Sequence, residues 1–191
     1  MQTYLVKDLM VPLAEYATVT EDATLFDAVS ALEKAQEDFD HTRYRHRAVL
    51  VLNTAGEVVG KVSQMDALKA LEPKYAEMLG HKGMHNFGFS KTFTMSLLQS
   101  YGMWSSPLMD LCRKALGSKV RDIMYAPTEG EFVDKDASLD QAIHQLVMGH
   151  HQSLIVTSGK KITGILRLTD VFAAVFHAMK ECQREHGDTA E

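Results

Sequence analysis

Cysteine is scarce: Cys112 and Cys182 are the only two in 191 residues. They form neither the paired spacing of a zinc site nor a disulfide framework, so reduced thiols in a cytoplasm are the simplest expectation. A basic excess is missing as well. The formal net charge is −5, whereas a general nucleic-acid binder needs a positive field to meet phosphates. The one dense basic stretch, Arg43-Tyr44-Arg45-His46-Arg47, is short and interrupted. It suits a local anion contact or a solvated face better than a DNA footprint. No apolar run approaches the roughly 18 residues that a membrane span requires. The longest, Val171 to Phe176, is expected on a helix face. The basic flank and apolar stretch of a secretory leader are missing at the N-terminus. So are a P-loop, a nucleophile elbow and an H-E-x-x-H pattern. No catalytic residue and no enzyme activity are expected, and the expected location is the cytoplasm.

What is present is a repeat. Val6-Lys7-Asp8-Leu9-Met10 returns as Val120-Arg121-Asp122-Ile123-Met124, and Val19 to Leu25 returns as Val133 to Leu139, both 114 residues later. Gly60-Lys61-Val62-Ser63-Gln64-Met65-Asp66 returns as Gly164-Ile165-Leu166-Arg167-Leu168-Thr169-Asp170, 104 residues later. A unit this short cannot close a core alone, so two copies imply a fold that buries one against the other.

Each copy reads as strand, helix, strand, strand, helix. In the first, Thr24 and Asp27 form a capping box ahead of an apolar stripe of Leu25, Ala28, Val29 and Leu32. In the second, Ser138 and Gln141 take those places before Leu139, Ala142, Ile143 and Leu146. Ala48 to Leu52 is a continuous apolar strand, Asn53 to Gly56 a turn, and Glu57 to Val62 the returning strand. The second copy offers Ser153 to Thr157, a Ser158-Gly159 turn and Lys160 to Leu166, with closing helices near Asp66 and Thr169. The change of offset falls in the helix-to-strand connection, Glu33 to His46 in one copy and Val147 to Gln152 in the other.

Residues 72–118 match neither copy. They are too long and too apolar for a plain linker. The pattern predicts a helix near Pro73–Leu79, a loop at Gly80–Gly88 and a helix near Lys91–Trp104. A third helix follows, with Ser106 as cap, Pro107 at its first position and Gly117 as terminator. Met78, Met84, Met95, Met103 and Met109 fall in this segment. They either pack a small local core or offer an adaptable apolar surface to a partner.

The ordered set of motifs, occurring twice, resembles the CBS domain, and the chain resembles a tandem CBS pair. The resemblance covers residues 4–71 and 118–179. It implies an α/β fold (α+β-like) of two pseudo-symmetric β-α-β-β-α units packed together. The domain organisation is then a first CBS repeat at 1–71, a helical insertion at 72–117, a second CBS repeat at 118–180 and a polar tail at 181–191. The resemblance further implies inter-repeat clefts for adenosine-containing ligands such as AMP, ADP, ATP or S-adenosylmethionine, assembly as a homodimer, and regulation of another protein.

By the same resemblance Asp66 and Asp170 are the ribose-binding aspartates. A carboxylate accepts both cis hydroxyls of a ribose at once, and hydrogen bonds to a charged acceptor contribute roughly 1.5–3 kcal/mol each. Ser63 matches the phosphate-facing hydroxyl, near a helix start that favours anions. Yet Ser63 and Asp66 also make a capping box worth about 1 kcal/mol without any ligand, and the two roles can coexist. The second copy departs from the pattern. Arg167 replaces the hydroxyl residue, with Thr169 beside Asp170. Such an arginine either grips a phosphate bidentately or pairs with Asp170 and closes the site. His151 is a further phosphate-side candidate. The base side is expected near Thr18 and Arg47 in one copy and Phe132 and Ser153 in the other. Leu50 and Leu154 stand where the family often has proline.

His41, His46, His144, His150 and His151 invite a metal site. However, His150 and His151 are adjacent, point to opposite faces if extended, and have no cysteine pair to help. No metal is expected, and no cofactor is required beyond a regulatory adenine nucleotide or S-adenosylmethionine. The leading expectation is a regulatory sensor that signals ligand occupancy to a protein target. The alternative is a ligand-free scaffold that assembles through the Met-rich segment.

Overall fold

The structure is a computed structural model, and it describes residues 4–37, 46–72, 75, 91–102 and 109–187. In chain order the elements are α1 (Val6–Leu9), β1 (Val11–Pro12), a 3₁₀ turn (Leu13–Glu15), β2 (Thr18–Thr20), α2 (Leu25–Glu37), β3 (Ala48–Leu52), β4 (Val58–Ser63) and α3 (Gln64–Leu71). Then come α4 (Lys91–Tyr101), α5 (Met109–Gly117), α6 (Val120–Ile123), a 3₁₀ turn (Glu129–Glu131), β5 (Phe132–Asp134), α7 (Leu139–Met148), β6 (Ser153–Ser158), β7 (Lys161–Arg167) and α8 (Leu168–Gly187). The sequence expectation of an α/β chain with two copies of one strand-helix-strand-strand-helix unit agrees with this order. The expected helix near Pro73–Leu79, the loop at Gly80–Gly88, His41, Ser106 and Pro107 lie outside the described residues. So do Met78, Met84, Met103 and the side chain of Met109.

The described residues divide into two compact units that interleave along the chain. One takes in Ala17–Glu37 and Arg47–Tyr125; the other takes in residues 4–16, His46 and residues 126–187. They are called here the first-repeat and second-repeat units, after the strands they contain.

In the first-repeat unit, β2 pairs parallel to β3, and β3 pairs antiparallel to β4. Val49 and Val51 of β3 and Val62 of β4 are buried with Ala28 and Leu32 of α2 and with Val120 of α6. The capping box begins α2: the Thr24 backbone N–H donates to Asp27 Oδ2 at 2.8 Å and the Asp27 N–H donates to Thr24 Oγ1 at 3.1 Å. The Thr24 N–H and the Thr24 hydroxyl, which also donates to Asp27 Oδ2 at 2.7 Å, hold the Asp27 carboxyl below the ordinary carboxylate range. The second opening motif lies in this unit. Val120 and Arg121 donate their backbone N–H groups to the carbonyls of Ala23 and Glu21, at 2.9 and 3.1 Å. Tyr125 exchanges backbone hydrogen bonds with Lys61 of β4, and the Lys61 ammonium sits 5.3 Å from the Tyr125 ring centroid.

The second-repeat unit repeats the plan. β5 is parallel to β6, β6 is antiparallel to β7, and β1 adds antiparallel on the far edge of β7. Val133, Leu139, Ala142, Leu146, Leu154, Val156, Leu166, Val171 and Ala174 are buried together with Val6 of α1. Here the first opening motif does the docking. Val6 and Lys7 donate to the carbonyls of Ala137 and Lys135, at 3.0 and 2.9 Å, and Lys7 Nζ meets Asp136 Oδ1 at 2.8 Å. In the first-repeat unit the counterpart ion pair joins Arg121 and Asp22. Both sheets carry a register shift at equivalent places, Val51/Leu52 and Val156/Thr157.

Two expectations change. The run Val171 to Phe176 is not one helix face. Val171 and Ala174 are buried in α8, while Phe172 is 68% exposed and Phe176 is also exposed. Six consecutive residues span more than a full turn and must face both ways. Second, His150 is not extended. It adopts φ 52° and ends α7 in a left-handed turn, with the N–H groups of His150 and His151 donating back to the Val147 and Leu146 carbonyls at 3.3 and 3.0 Å.

Candidate ligand site

The two candidate aspartates occupy the same local position, three residues into the closing helix of each repeat, and are held in different ways. In the first-repeat unit, β4 ends at Ser63, which is extended at φ −85°, ψ 166° and caps α3. The Ser63 backbone N–H and hydroxyl both donate to Asp66 Oδ2, at 3.0 and 2.6 Å, and the Asp66 N–H donates to Ser63 Oγ at 3.2 Å. Among the described residues, Asp66 Oδ1 accepts no hydrogen bond. The side chain is half-buried. The capping box foreseen in the sequence is therefore made. Thr18 on β2 and Arg47 before β3 are exposed in the same unit. The Arg47 carbonyl accepts from the Gln64 N–H at 3.0 Å.

In the second-repeat unit, β7 ends at Arg167 and α8 begins at Leu168. Arg167 Nε donates to Asp170 Oδ2 at 2.5 Å and Nη2 donates to Oδ1 at 2.6 Å. The two side chains are 7% and 16% exposed. The pairing of Arg167 with Asp170 that the sequence allowed is therefore made. Ser153 is the cross-strand partner of Arg167, and Thr169 is half-buried in the first turn of α8. The Phe132 carbonyl accepts from Gln145 Nε2 at 3.2 Å. The His151 imidazole lies over Gly149 and near Gly130.

Several residues of this region carried no signal of their own in the sequence. Tyr16 is buried, with its ring edge-on to that of His46 at 4.4 Å between centroids. Burial pushes the Tyr16 hydroxyl up to about 12, with Asp170 adding to the rise and Arg167 opposing it. A cavity of about 550 Å³ opens beside the ion pair, lined among others by Tyr4, Asp8, Met10, His177 and Glu181. Its helical wall of Asp170, Ala173, Ala174, His177 and Glu181 has the spacing of one face of α8. That spacing was legible; that α1 forms the opposite wall was not. No group of histidine, cysteine and acidic residues fit to hold a metal occurs among the described residues. His144 and His150 are exposed.

With this geometry in hand, comparison with known proteins is decisive on one point. The CBS domain pattern matches residues 6–73 and again 120–177. The chain belongs to the CBS domain family. Solved structures agree on the fold of this CBS pair. It is similar to CBSX2 in complex with AMP, at 22% identity and TM-score 0.58, over 91% of this chain and 97% of that one. It is also similar to CBSX2 from Arabidopsis thaliana, at 20% identity and TM-score 0.58, over 94% and 99% of the two chains. A CBS-domain containing protein from Agrobacterium tumefaciens shares 18% identity and a TM-score of 0.56, over 91% and 94%. No curated protein matches the sequence. CBS pairs are regulatory modules, and no helix among the described residues of this one is long and apolar enough to cross a membrane.

Proposed function

We propose that this CBS pair is a regulatory sensor for an adenosine-containing ligand, and that Asp66 is its ribose-binding group. One observation carries the reading. Asp66 stands in the first turn of α3, half-buried, with Oδ2 committed to Ser63 and Oδ1 accepting nothing among the described residues. A carboxylate fixed by its own cap is preorganised to take ribose hydroxyls on its other oxygen. Ser63 lies at the helix start, where backbone amides and the macrodipole favour a phosphate. Thr18 and Arg47, in the same unit, take the base side. Support from outside the chain comes from CBSX2, which is similar in fold and whose structure is a complex with AMP.

In this reading Asp170, Thr169, Arg167, His151, Phe132 and Ser153 form the corresponding position of the second repeat. The sensor acts on a protein target in the cytoplasm and needs no metal or further cofactor. It pairs with a second copy of itself, and the exposed apolar Phe172, Phe176 and Met179 of α8 are available to such a contact.

A thermal-shift panel tests the proposal. AMP, ADP, ATP and S-adenosylmethionine are offered to the full chain. A true ligand at a hundredfold excess over its dissociation constant raises stability by about 2.7 kcal/mol, and Asp66→Asn removes that shift. A flat response to every adenosyl compound overturns the sensor and leaves the scaffold.

A further inference from the structure

We propose that Arg167 is an internal latch: it occupies the Asp170 carboxylate in place of a ribose, so that each chain takes up one phosphorylated adenosine, at Asp66. The inference rests on the sensor reading and assigns it an asymmetry.

The two aspartates differ in what they can still accept. Asp66 meets a neutral hydroxyl and a backbone N–H on a single oxygen, and its second oxygen accepts nothing among the described residues. Asp170 meets a guanidinium on both oxygens. The fork geometry of arginine matches a carboxylate edge to edge, and a charge-assisted pair of this kind is about twice as strong as neutral hydrogen bonds. A ribose that displaced it would exchange two charged donors for two neutral ones and would strand a cation. Both partners are largely buried, so water offers the displaced arginine little compensation.

Arg167 is equally unsuited to holding the phosphate. Its charge is already cancelled by Asp170. Of the other titratable residues lining the cavity, Asp8 and Glu181 are acidic, and Tyr4 and His177 add no fixed positive charge. Asp8 Oδ2 is engaged by the Leu5 backbone N–H at 2.9 Å. Among the described residues, a phosphate brought beside the pair would meet an acidic lining. The chain itself supplies the contrast, because the same position in the other repeat carries Ser63.

Calorimetric titration of the full chain with AMP, counting sites, tests the latch. The unaltered chain is expected to bind one AMP. Arg167→Ser rebuilds the capping box of the first repeat and is expected to raise the count to two. The reciprocal Ser63→Arg is expected to lower it to none. Arg167→Gln, which keeps an apolar stem in the cavity wall, serves as the opening variant should Arg167→Ser not fold, as judged by circular dichroism. Two sites in the unaltered chain overturn the latch. So does an opening variant whose count stays the same or falls, the latter assigning Arg167 to the phosphate after all. Failure of the sensor reading is separable. If the unaltered chain binds no AMP, Asp66 is not the site, and the latch is still decided by whether the opening variant gains one.

Discussion

The ends of β4 and β7 are the same place in two copies of one motif, and they solve the same local problem differently. At Ser63 the chain caps its helix with a hydroxyl and, among the described residues, engages only one oxygen of Asp66. At Arg167 it gives up the side-chain cap and invests the whole carboxylate of Asp170 in a buried ion pair. A single difference at one position of the repeat thus separates a carboxylate engaged on one oxygen among the described residues from one held by arginine on both. Homology of motif does not carry homology of availability, because availability depends on every donor within reach.

The largest effect that would sharpen this contrast is in stability. Arg167→Ala leaves the Asp170 carboxyl mostly buried and without its arginine, and is expected to cost about 3–5 kcal/mol. Ser63→Ala, which removes only a cap, is expected to cost about 1 kcal/mol. Urea unfolding of both variants measures the gap, and equal costs would mean that the ion pair is no more than a surface contact. Asp170→Ala added to Arg167→Ala is expected to recover part of the loss.

Next is alkaline stability, which belongs to the second-repeat unit through Tyr16. Its pKa is raised to about 12 by burial, above the unfolded value near 10. The associated stability is therefore complete below about pH 10 and lost as pH rises toward 12, on the order of 2–3 kcal/mol. Tyrosinate absorbance followed with unfolding free energy reports it, and Tyr16→Phe is expected to flatten that stretch of the profile.

A smaller contrast lies at the two glycines that let an opening motif approach a strand. A methyl at Gly164 would drive into the Val11 backbone carbonyl, whereas one at Gly60 meets first the Met124 sulfur at 2.7 Å. Backbone cannot yield as a thioether can. Gly164→Ala is expected to cost about 1–3 kcal/mol and Gly60→Ala less, as read from paired thermal melts. The smallest effect is a gain. His150 holds a left-handed φ of 52°, so His150→Gly relieves strain worth up to about 1 kcal/mol. A chevron or melt that shows no gain would mean the histidine side chain has a compensating role.

Much of the fold was legible because its signals are short-range. The Thr24 and Ser138 caps, the apolar stripes of α2 and α7, the Asn53 turn and the Ser63–Asp66 box all join residues three or four apart. Their geometry follows from helix pitch alone. The Val171–Phe176 run misled for the opposite reason: composition marked it apolar, but which residues turn inward is set by the sheet beneath. Tyr16 and His46 were invisible as a pair because thirty residues of chain separate them.

By itself the sequence determined that one supersecondary unit occurs twice, where α2, α3 and α7 are capped, and which two aspartates share a position. Only tertiary structure decided that Val6–Leu9 docks on the strands of the second repeat and Val120–Ile123 on those of the first. It alone showed Arg167 paired with Asp170 on both carboxylate oxygens. The reason is one of competition. Local hydrogen bonds have partners fixed by spacing, whereas a docked helix or a long cationic side chain selects among distant partners, and burial settles which of them it keeps.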